Sequence, residues 1–152
     1  MNQKPEEFDR SLRQYIYGVT MRRGYPPTLA EITDHFHGTL EVVQAALVRL
    51  AAGRVVVLQR DTGEILMANP FSAVPTPFVV ELADFSCYGN CIWDALGIPA
   101  MLGQDARIKT ACSDCGTAME VKVVAGVVQA VPDGLVHFAV PALHWWDDIV
   151  FT

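Results

Sequence analysis

Gly53-Arg54-Val55-Val56-Val57-Leu58-Gln59-Arg60-Asp61-Thr62-Gly63-Glu64-Ile65-Leu66-Met67 is the stretch that turns a helical beginning into a mixed fold. Aliphatic runs at residues 55–58 and 65–67 flank the turn Asp61-Thr62-Gly63, which predicts two strands joined as a ribbon. Three helices are expected before it. Phe8, Leu12, Tyr15, Ile16 and Val19 recur at helical spacing over residues 6–22, and Gly24-Tyr25-Pro26-Pro27 stops that helix. Thr28-Leu29-Ala30-Glu31 fits a capping box for a short second helix ending near Phe36. Gly38-Thr39 opens a third, striped by Leu40, Val43, Leu47 and Leu50 and closed by Gly53. Three helices followed by a ribbon is the order of a winged helix-turn-helix.

The rest of the chain has a different character. Phe71-Ser72-Ala73-Val74-Pro75-Thr76-Pro77 reads as a linker, because its prolines favour an extended crossing. A strand is expected at residues 78–82, a helix at 91–102, and strands at 107–111, 119–124, 127–131 and 135–140. Ala125-Gly126 and Pro132-Asp133-Gly134 supply turns. The fold class is therefore α+β, with a winged-helix-like unit over residues 1–70 and a small, mostly antiparallel sheet with one helix over 71–152.

Bulk composition narrows the function. Hydrophobic residues make up 51% and charged residues 18% of 152, enough for a packed core. The net charge of −6 opposes a large nucleic-acid footprint or docking on an anionic membrane. Residues 1–70 hold eight basic and eight acidic residues, and the third helix offers only Arg49 as a cation. That is poor equipment for reading a DNA groove. Residues 1–13 are polar, and no apolar run approaches the ~20 residues of a membrane span. The expected compartment is the cytoplasm, where Cys87, Cys91, Cys112 and Cys115 are reduced thiols.

Those cysteines carry the chemistry. Cys91 and Asp94 lie three apart where the second half's helix begins, so they share one helix face. In the first helical turn, amides and dipole lower a thiol pKa, and a neighbouring carboxylate raises one of the two groups. The pair then offers a soft nucleophile beside a proton donor. The structural alternative is a core cysteine next to an ordinary first-turn acid. Cys112-Ser113-Asp114-Cys115-Gly116 is a Cys-x-x-Cys knuckle that, with Cys87 and Cys91, offers a four-thiolate zinc set. His35, His37, His137 and His144 show no ligand spacing.

Four blocks together resemble the organomercurial (alkylmercury) lyases. They are residues 71–77, Asn90-Cys91-Ile92-Trp93-Asp94-Ala95-Leu96-Gly97-Ile98-Pro99, Val136-His137-Phe138-Ala139-Val140-Pro141, and His144-Trp145-Trp146-Asp147-Asp148-Ile149-Val150-Phe151-Thr152. The resemblance implies protonolysis of a carbon–mercury bond, giving a hydrocarbon and Hg(II), with Cys91 binding mercury and Asp94 delivering the proton. It implies organomercurial substrates, no required cofactor beyond free thiols, and a mercuric reductase as the metal's acceptor. In that family a second catalytic cysteine follows the Asp-Asp-Ile-Val-Phe-Thr stretch, where this sequence ends at Thr152. The expectation is a short or truncated member, impaired unless Cys87, Cys112 or Cys115 substitutes. Cys87 is the candidate that a helical extension would align with Cys91. The competing readings are a non-enzymatic thiolate metal-binding protein, for zinc or mercury, and a metal-responsive DNA-binding regulator.

Overall fold

The computed structural model describes residues 4–150. Three helices come first: α1 (Pro5–Arg23), α2 (Leu29–Phe36) and α3 (Leu40–Ala52). Eight strands follow: β1 (Val56–Leu58), β2 (Ile65–Ala68), β3 (Phe71–Ser72), β4 (Val79–Glu81), β5 (Ser86–Gly89), β6 (Ala106–Ala111), β7 (Ala118–Val124) and β8 (Val127–Val131). Helix α4 (Ile92–Leu102) connects β5 to β6.

The capping box forms as the sequence predicts. The Thr28 hydroxyl accepts from the Glu31 amide, and the Glu31 carboxylate accepts from the Thr28 amide at 2.8 Å. Arg23, in the last turn of α1, grips the same carboxylate through both terminal nitrogens at 2.6 and 2.7 Å. Leu12, Ile16, Val43, Ala46 and Leu47 are fully buried between the helices and close on Val56 and Ile65 of the ribbon. Leu40 departs from the expected stripe. It is 45% exposed, because the first turn of α3 projects beyond that core.

All eight strands join one antiparallel sheet in the order β1-β2-β3-β5-β4-β6-β7-β8. Three stretches behave differently from expectation, the first being Ser86–Gly89, which forms strand β5 where none is expected. Phe71 and Ser72, expected in a linker, form β3, which pairs with β2 on one side and β5 on the other, and Phe71 is fully buried. Residues 135–140, expected as a strand, make no ladder. Instead the chain after β8 turns back over the molecule. Trp145 reaches the first turn of α4, and Arg54 stacks over the Trp146 ring at 5.2 Å.

A second core lies under α4, where Ala95 and Ile98 pack against Phe71, Val80, Cys87, Ile108, Val121 and Val123. Alternation along β6 and β7 puts Ala106, Ile108, Val121 and Val123 inside. The opposite face carries charge pairs, Lys109–Glu81 at 2.6 Å and Arg107–Glu120 at 3.5 Å. At such exposure each contributes at most about 1 kcal/mol. No helix among the described residues is long and apolar enough to cross a membrane.

Candidate active site at the start of helix α4

Strand β5 delivers the chain to the site. Its last residue, Gly89, is held from two sides: its amide donates to the Phe78 carbonyl at 3.0 Å, and its carbonyl accepts from the Thr76 hydroxyl at 2.6 Å. There is no room for a side chain here. A Cβ on Gly89 would lie 2.7 Å from the Ala95 nitrogen and 2.8 Å from its Cα. That close approach presses α4 onto the strand end and fixes where the helix starts.

Cys91 is the N-cap residue of α4, extended at φ −144° and ψ −177°. The sequence predicts it inside the first turn; it stands one step earlier, as the extended residue that caps the helix after β5 ends at Gly89 and the chain bends. The amides of Trp93 and Asp94 face the sulfur and pull its pKa down, although no side-chain capping bond closes. Burial is the stronger influence and pushes the thiol above its ordinary value, and the Asp94 charge adds to that rise. The expected lowering of the Cys91 pKa is therefore reversed. Depth outweighs the helix end.

Asp94, in the first turn, interacts with Cys91 across the helix start through a side-chain hydrogen bond, although Cys91 itself precedes the helix. Burial also raises the Asp94 carboxyl, opposed by hydrogen bonds from Asn90 and Cys91. Asn90 organises the pair: its Nδ2 donates to Asp94 Oδ2 at 2.9 Å and to the Pro70 carbonyl at 3.2 Å. Its Oδ1 is buried without a partner among the described residues. Sequence reasoning gave Asn90, Thr76 and Gly89 no role of their own. The i, i+4 spacing of Asn90 to Asp94 was the available signal for the first. Beside this turn, Trp93 meets Phe138 and Trp145 edge-on and those two rings are tilted on each other, with ring centroids 5.1–6.3 Å apart.

The other thiols lie elsewhere. Cys87 is on β5, not on a helical extension, and is 2% exposed; burial pushes its pKa up to about 12. The idea that it shares a helix face with Cys91 fails because the intervening backbone is extended. Cys112 and Cys115 lie near each other in the β6–β7 turn. Among the described residues no group of three or more His, Cys, Asp or Glu side chains is placed to hold a metal ion, so the four-thiolate zinc set is not assembled. His144 pairs with Asp147 at 3.0 Å. Phe151 and Thr152, which close the last of the resembling blocks, lie outside the described residues.

The arrangement can do one thing well. A half-buried thiol and a carboxyl whose proton-bound form burial favours can hold one proton between them until something displaces it from sulfur.

Comparison with known proteins bears on the fold and the family. A search of curated proteins returns no match. Among solved structures, the mercury-bound form of MerB2 superposes with a TM-score of 0.63 at 23% identity, covering 86% of this chain and 63% of that one. The chain thus spans less than two thirds of that structure's length, and at this identity the likeness speaks for the fold. The family model for alkylmercury lyase (MerB) matches residues 71–152, just over half of the chain and the whole of the stretch that carries Cys91 and Asp94. The chain belongs to the alkylmercury lyase family.

Proposed function

We propose that this protein cleaves carbon–mercury bonds by protonolysis, with Cys91 as the mercury ligand and Asp94 as the proton donor. The observation that carries this reading is the hydrogen-bonded Cys91–Asp94 pair at the buried start of α4. An organomercurial cation meets the thiol, and a sulfur–mercury bond forms as the thiol proton passes to Asp94. Thiolate is a strong ligand for a soft metal. Burial then favours the neutral carboxyl, so Asp94 retains the proton beside the bound substrate. The carbon–mercury bond breaks with both electrons going to carbon, which takes the proton from Asp94. Hydrocarbon leaves, Hg(II) stays on sulfur, and Asp94 ends as the carboxylate, ready for the next thiol proton. Asn90 is a positioning residue that holds Asp94 toward the sulfur.

Excess free thiol supplies the second sulfur that draws Hg(II) from Cys91, and a mercuric reductase in the cytoplasm is the downstream acceptor in this reading. Residues 4–70 back the lyase-like part, with helices α1–α3 packed on the ribbon β1–β2 that continues into its sheet.

The test is release of methane from methylmercury, or benzene from phenylmercury, in excess thiol. Wild type should exceed the Cys91→Ser, Asp94→Ala double variant by at least a hundredfold, the usual scale for a lost acid catalyst. Equal release from the two proteins sinks the proposal.

A further inference from the structure

The Cys112–Cys115 turn is left unused by that chemistry. It is a built feature. The Cys112 amide donates to the Thr117 carbonyl at 2.9 Å, and the Gly116 amide donates back to the Cys112 carbonyl at 2.9 Å. Gly116 takes φ +70°, which lets the chain reverse. The loop thereby brings the two thiols near enough to influence each other. The Thr117 hydroxyl sits 3.1 Å from the Cys115 sulfur. Cys115 is exposed and Cys112 half-buried.

Sheet register places this turn. Val79 of β4 faces Tyr88 of β5 on one side and Lys109 of β6 on the other. Cys91 and Cys112 each follow three residues after those partners, on strands running in the same direction. Strands β5 and β6, two spacings or about 10 Å apart at the register of Val79, therefore both run to the end of the sheet beyond which Cys91 and Cys112 lie.

We propose that Cys112 and Cys115 form a second, two-thiolate site that binds Hg(II) at the end of the sheet where Cys91 stands. Sulfur selects a soft cation. Ligand number then selects among soft cations. Zinc wants four protein ligands in a structural site, and no third candidate ligand is gathered here among the described residues. Hg(II) is satisfied by two thiolates. Binding is ligand exchange without redox: Hg(II) gives up two solution ligands, two sulfur–mercury bonds form, and the protons still on the thiols pass to buffer. As an acceptor for the ion left on Cys91, the site rests on the function proposed above; as an Hg(II) site it does not.

The experiment uses mercuric chloride and the reduced full chain, with glutathione as competitor. Bound metal is read by mass spectrometry and by sulfur-to-metal charge-transfer absorption, and folding by circular dichroism. The Cys91→Ser protein should retain one Hg(II) per chain. Adding Cys112→Ser and Cys115→Ser should weaken that binding at least tenfold. Retention of the ion by the folded triple variant overturns the proposal. So does Zn(II) held more tightly than Hg(II) with two chains per ion. Because the probe is inorganic, a chain that binds it and fails to cleave organomercurials refutes only the lyase reading; the converse result refutes only this site.

Discussion

At Cys91 two influences oppose each other, the helix-start amides and burial, with the Asp94 charge reinforcing burial. Replacing Asp94 with Asn removes a negative charge while keeping the shape. Cys91 should then ionise at lower pH and alkylate several-fold faster with iodoacetamide near neutral pH, read by peptide mapping that separates it from Cys115. A slower or unchanged Cys91 would mean that the carboxylate does not act on the sulfur. Gly89→Ala tests the close approach of strand and helix: a Cβ at 2.7–2.9 Å from Ala95 should cost about 1–3 kcal/mol in denaturant unfolding. The pairing of Cys91 with Asp94 was legible from their spacing. The direction of the thiol's shift was not, since spacing along a helix reports a shared face and says nothing of depth.

Among the elements, α2 draws on two carboxylates at its start: Glu64 accepts from the Leu29 amide at 2.8 Å, and Glu31 closes the capping box. Glu31 caps the helix and binds Arg23, and these hydrogen bonds hold its pKa down to about 2. A depressed carboxyl stabilises the fold above its unfolded pKa, near 4.3, and that contribution is lost as pH falls through about 2. Glu31 is 42% exposed, so solvent screens much of the effect. Glu31→Gln should cost about 1 kcal/mol at neutral pH, and the difference from wild type should shrink across that acid window. Thermal melts at several pH values check both. The helices were readable because caps and apolar periodicity are local. Strand β3 was not: two residues beside prolines carry no pattern, and only pairing with β2 and β5 makes them a strand. Residues 135–140 misled in the opposite way. Their apolar run matches a strand, but Phe138 finds its partners in Trp93 and Trp145 and not in the edge of β8.

Across the whole molecule, the two cores are tied by one sheet and by α1. Gly24 ends α1 at φ +87°, and a Cβ there would fall 2.0 Å from the Ser86 carbonyl oxygen on β5. Gly24→Ala should therefore cost about 3 kcal/mol, from the left-handed backbone and the clash together. Because β5 leads to Cys91, the same change should also disturb alkylation of that thiol. The Tyr17 hydroxyl adds a second tie, donating to the Asn69 carbonyl at 2.7 Å. Continuity of the sheet through residue 70 was not legible, since strand order depends on partners far apart in sequence. The chain's return over α4 has an optical consequence. The protein has three tryptophans, at 93, 145 and 146, and all lie on α4's first turn or on the segment that folds back toward it. A mercury atom on Cys91 would sit two residues from Trp93, and its spin–orbit coupling drains an excited indole without emission. Intrinsic fluorescence should thus fall as the metal arrives and recover as thiol removes it. The Cys91→Ser chain should lose that signal, so the protein carries its own occupancy gauge.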